Sequence, residues 1–129
     1  MKFFSVLLMM FLLQSAYAEN SADIGFITVR DAYVAILKEP NIQRSINQGW
    51  LVIAVPAGSH AGVWWFSPEK DPAYPSVVKR IPIEKDGHLF IDMRVLCGAT
   101  KVNCDRLVDE FRKSNEKIAQ EKQVKTETK

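Results

Sequence analysis

Residues 50–66 constrain the fold more than any other part of the chain. Trp50 to Val55 is an unbroken apolar run rich in β-branched residues, and Val63 to Phe66 is a second one. Between them lies the turn-forming stretch Pro56-Ala57-Gly58-Ser59-His60-Ala61-Gly62. Two short apolar runs around a Gly- and Pro-containing turn predict a β-hairpin. Because Trp64 and Trp65 are adjacent, a strand sends them to opposite faces of the sheet. Both strands of this hairpin are therefore apolar on both faces, which is more than a sheet with one buried face requires.

The rest of the chain supplies partners for the hairpin. Ser67 to Ser76 carries Pro68, Pro72 and Pro75 and reads as a stiff loop presenting Tyr74. Val77 to Glu84 makes a third strand, which Pro82 marks as an edge or bulged strand, and Lys85-Asp86-Gly87 turns into a fourth. In the fourth, Leu89, Ile91, Met93 and Val95 point one way and His88, Phe90, Asp92 and Arg94 the other.

Two helices flank the strands. From Thr28 to Lys38, apolar residues fall at Val29, Ala32, Tyr33, Ile36 and Leu37, the stripe of an amphipathic helix, with Thr28 and Asp31 spaced as a capping box and Glu39-Pro40 as the stop. Residues 41–48 are polar apart from Ile42 and Ile46, a spacing that suits a short second helical turn before Gly49. The second helix places Cys104, Leu107, Val108, Phe111 and Ile118 on one stripe, with Asn103 as its expected N-cap and Asp105 in the first turn. Short connections predict an α+β two-layer sandwich: a four-stranded antiparallel meander with an N-terminal and a C-terminal helix (α-β-β-β-β-α), both helices on one face.

The N-terminus sets the compartment. Met1-Lys2, an apolar block over Phe3 to Leu13 broken only by Ser5, and Ala16-Tyr17-Ala18 are the three parts of a secretory signal peptide, so residues 1–18 are expected to be cut away before Glu19. The apolar block is short of the roughly 20 residues that span a bilayer, and no later segment reaches that length, so no transmembrane segment is expected after cleavage. Residues 19–120 then form one globular domain, and 121–129 a charged, disordered tail. Export to the periplasm or the medium gives Cys97 and Cys104 an oxidising environment, and a structural disulfide between them would pin the last strand to the second helix. Six residues separate them, against two in redox pairs, and no histidine lies near in sequence to complete a zinc site.

The 17 basic and 15 acidic residues nearly balance, so charge makes no case for nucleic acid as a partner. Residues 112–129 are mildly basic, which reads as a solvated helix end. No phosphate-cradling loop and no nucleophile motif is present, and no cofactor is expected. His60 and His88 are the two histidines. A small hydrolase would have to use one of them, and a metal site would use both with Asp86 or Asp92, His88 and Asp92 falling on one strand face. The reading favoured by the apolar excess is a non-catalytic binding domain with an aromatic patch on the outer sheet face, built from Trp64 or Trp65 with Tyr74 and Phe90, and with Arg80 and Arg94 adding polar contacts. Its partner would be a protein, a peptide or a cell-envelope glycan, or else a second copy in a structural homodimer. The competing arrangement folds Ile24, Phe26 and Ile27, or the proline loop, over that face and closes it.

Overall fold

The structure, a computed structural model, describes residues 23–127. The expected signal peptide lies outside the described residues, as do 128 and 129 of the expected tail. The order is α1 (Val29–Leu37), β1 (Gln43–Asn47), β2 (Trp50–Val55), β3 (Gly62–Phe66), β4 (Ser76–Lys85), β5 (His88–Cys97) and α2 (Lys101–Glu127). The strands form one antiparallel sheet in chain order, β1 to β5. The α+β class and the meander are as expected, but the sheet has five strands, not four. The additional strand, β1, occupies the segment read as a helical turn. All five of its residues are exposed, so no alternation of apolar and polar positions marked it. What makes it is the turn: Gln48 and Gly49 take φ of 49° and 86°, the left-handed pair that closes a two-residue hairpin. Asp86 and Gly87, at 54° and 77°, do the same between β4 and β5.

A second correction concerns the layers. Trp64 packs in a core with Ala32 and Ile36 of α1, Ile24, Ile53, Phe66 and Val77. Trp65 packs in a different core with Leu107 and Phe111 of α2, Trp50, Val78 and Val95. Since adjacent strand residues face opposite ways, α1 and α2 cover opposite faces of the sheet, and the two-layer sandwich with both helices on one side does not form. The apolar excess of β2 and β3 is the signature of a sheet buried on both faces.

Local chemistry positions the helices. Thr28 Oγ1 accepts from the Asp31 amide at 3.0 Å and starts α1. Thr100, rather than Asn103, starts α2: its Oγ1 accepts from the Asn103 amide at 3.3 Å and its carbonyl from the Cys104 amide at 2.8 Å. Helix α2 then continues to Glu127, through most of the segment expected as tail. Cys97 and Cys104 form a disulfide with Cα atoms 5.9 Å apart, joining the end of β5 to the first turn of α2.

Each face of the β3–β4 pair carries a tryptophan beneath a cation. Lys79, the cross-strand partner of Trp64, lies on the α1 face with Nζ 4.9 Å from the Trp64 ring. Arg80 lies on the α2 face between the rings of Trp65 and Phe111, at 5.0 and 4.5 Å, and donates to Ser114 Oγ at 3.1 Å. At the start of β3, a Cβ on Gly62 would stand 3.0 Å from the Arg80 carbonyl oxygen, and its φ is 142°, so glycine is what lets the two strands approach here.

Candidate functional site

The aromatic patch expected on one outer face is not assembled as such. Trp64 has no solvent exposure. Its indole Nε1 donates to the His60 carbonyl at 2.9 Å, and Phe26 meets its ring edge-on at 5.9 Å. Ile24 is buried and Phe26 half-buried against it, so the N-terminal segment does close this part of the sheet, although Ile27 does not join in. Trp65 is half-buried on the other face, beneath α2. Phe90 is exposed, but it sits on the distal part of the β4–β5 hairpin opposite Ile83, which is also exposed. Of the four aromatic residues expected in the patch, Tyr74 is the one exposed on the proline loop, 45% accessible.

The two arginines are separated as well. Arg80 belongs to the α2 face, where burial pushes its guanidinium below the ordinary arginine value. Arg94 belongs to the α1 face. It donates to Asp92 Oδ2 at 3.2 Å and to the Asp23 carbonyl at 3.1 Å, tying down the N-terminal segment. It also stands opposite Lys79 in the ladder. Burial first, and the Arg94 charge second, lower the Lys79 ammonium from its ordinary 10.5, while Asp92 opposes them.

The two histidines stand in different places, one in the loop between β2 and β3 and the other beside the β4–β5 turn. His60 Nδ1 lies 2.7 Å from Glu39 Oε1 and its ring packs against Phe26 at 5.2 Å, so it ties the segment just after α1 to the β2–β3 loop. His88 is exposed beside the β4–β5 turn. Among the described residues, no group of three or more His, Cys, Asp or Glu side chains is placed to hold a metal ion.

What the fold does build is an open groove of about 790 Å³ at one end of the sheet. Its floor is Leu51, Phe66 and Leu96, three residues of the α1 face where β2 begins and β3 and β5 end. One wall is the start of α1, from Ile27 through Arg30 to Tyr33. The other is the proline loop, with Pro68, Tyr74 and Pro75. This volume falls in the usual range for ligand sites, roughly 300–1,000 Å³. Tyr33 meets the Phe66 ring edge-on at 5.4 Å yet keeps 42% of its surface, and Ile27 is 90% exposed. Three large apolar or aromatic side chains thus border one opening.

Sequence reasoning placed Tyr74 in the site and missed Ile27, Arg30, Tyr33 and the floor. One signal was present. Ile27 precedes the N-cap, where a staple residue packs against the fourth helical position. That position is Ala32, too small and too deeply buried to hold it. An isoleucine without a staple partner is an apolar side chain left free for something else.

Comparison of the chain with protein-family models, curated proteins and solved structures found no match, so the groove's own geometry carries the functional reading.

Proposed function

We propose that this protein is a non-catalytic binding domain of an exported compartment and that it takes its partner in the groove between α1 and the proline loop. The observation that carries this reading is the coincidence of Ile27, Tyr33 and Tyr74, all well exposed, around an apolar floor. Export is supported by the three-part N-terminal pattern and by the disulfide joining Cys97 to Cys104. No helix among the described residues is long and apolar enough to cross a membrane.

The test is to titrate the 15N-labelled protein with p-cresol, isobutanol and methyl β-glucoside and map the amide shifts. The expected result is shifts from the apolar probes at Tyr33, Gly49, Phe66 and Gly98, abolished in Ile27→Asp, whose folding is unaffected because the residue is solvent-exposed. Shifts confined to Ile83 and Phe90, or absent altogether, would refute the assignment.

A further inference from the structure

The chemistry of the groove wall narrows the class of partner, on the premise that the groove is the binding surface. Its polar side chains are few, and two of them already accept a backbone amide: the Thr28 hydroxyl from Asp31 at 3.0 Å, and the Ser67 hydroxyl from Ser76 at 2.8 Å. A sugar, which needs hydrogen-bond partners for hydroxyls around each ring, finds the two tyrosine hydroxyls, Arg30 and the remaining capacity of Thr28 and Ser67, all on the walls, above a floor of Leu51, Phe66 and Leu96 that offers no polar side chain. No acidic side chain lines the groove, and Arg30 is its only charged residue. Arg30 is exposed and forms no ion pair among the described residues. A lone cation on the rim of a neutral, apolar trough is complementary to an occupant with an apolar body and one negative charge.

The openness of the groove selects between two such occupants. An acyl chain in a trough open on one side leaves much of its hydrocarbon in water, at about 25 cal/mol for each Å² not buried. An extended peptide puts alternate side chains down and keeps its backbone and the other side chains outward, where water satisfies them. We infer that the groove binds the carboxyl-terminal end of an apolar peptide, its side chains seated on Leu51, Phe66 and Leu96 between Tyr33 and Tyr74, and its terminal carboxylate paired with the Arg30 guanidinium.

The probes are acetyl-Ala-Tyr-Leu-Val as the free acid, the same peptide as the C-terminal amide, and dodecanoate below its micellar concentration. Each is titrated into the 15N-labelled protein, its Arg30→Gln variant and its Ile27→Asp variant. The expected result is that the free acid binds at least about 5-fold more tightly than the amide, within the span of a charge-assisted contact. This preference should disappear in Arg30→Gln, and both peptides should weaken in Ile27→Asp. Equal affinity of acid and amide for the parent protein overturns the carboxylate inference but leaves the groove as the binding surface. Dodecanoate shifting the groove amides while neither peptide does so assigns an acyl chain and also overturns it. If no probe shifts the groove amides, the inference fails together with the reading on which it rests.

Discussion

Replacing the two adjacent tryptophans one at a time tests whether both faces of the sheet are covered. Trp64 is fully buried, and a large aromatic side chain buries about 200 Å². At about 25 cal/mol per Å², Trp64→Ala forfeits up to about 5 kcal/mol of burial. The lost hydrogen bond to the His60 carbonyl adds about 1 kcal/mol. Partial collapse of the site returns some of this, so the expected cost is about 4–5 kcal/mol. Trp65 is half-buried against Phe111 and Arg80, and its indole nitrogen has no hydrogen-bond partner. Trp65→Ala should therefore cost less, about 2–3 kcal/mol. The assay is urea unfolding followed by far-UV circular dichroism, reading the midpoint at constant slope. A domain of this size has only about 5–15 kcal/mol in total, so Trp64→Ala can fail to fold; Trp64→Phe, at about 2 kcal/mol, keeps the measurement accessible. If Trp65→Ala lies within about 0.5 kcal/mol of the parent, as surface substitutions do, α2 does not cover that face and the two-sided sheet is wrong.

Other expectations concern the supports of this arrangement. Cys97→Ser with Cys104→Ser opens an eight-residue loop and should lower stability by about 2.5 kcal/mol on the chain-entropy model, read from the urea midpoint. Asn115 is 8% exposed, its Oδ1 has no partner and its Nδ2 reaches only the Met93 sulfur; Asn115→Leu should stabilise by about 1 kcal/mol, and a lower melting temperature would count against the packing described. Lys79 releases its proton at a lower pH in the folded protein than in the unfolded chain. As pH rises toward 10.5 the unfolded chain therefore holds more protons, so this residue makes stability increase with pH in that window, and Lys79→Met should remove the increase in urea melts at pH 8 and 10.

Several features of the fold can be read without coordinates, and the failures have identifiable causes. The stripe of α1, its Thr28 cap, the Asp86-Gly87 turn and the alternation of β5 are local patterns, and each forms as read. β1 was illegible because nothing on Gln43–Asn47 is buried; Gly49 was the only mark of its turn. The adjacent tryptophans correctly signalled two apolar faces. Which of those faces α2 covers is not legible, because periodicity reports how much of a helix is apolar and not which side of the sheet it reaches. The groove was largely hidden for a different reason. It draws on five separated segments, around residues 27–33, 49–51, 66–68, 74–75 and 96–98, and only folding brings them together.

The strictly sequential strand order carries a consequence for how the chain reaches this state. Every strand after the first pairs with the strand before it, so the sheet can grow as a series of short-range closures, each costing little loop entropy. Low contact order of this kind favours fast folding and shortens the time during which the apolar edges of β2 and β3 stand open to other chains. For a polypeptide delivered amino terminus first, as the proposed signal peptide implies, this lets the sheet assemble in the order in which the strands emerge. The last element, α2, then arrives beside Cys97 with its own cysteine in the first turn, and oxidation locks the lid onto a sheet that is already complete.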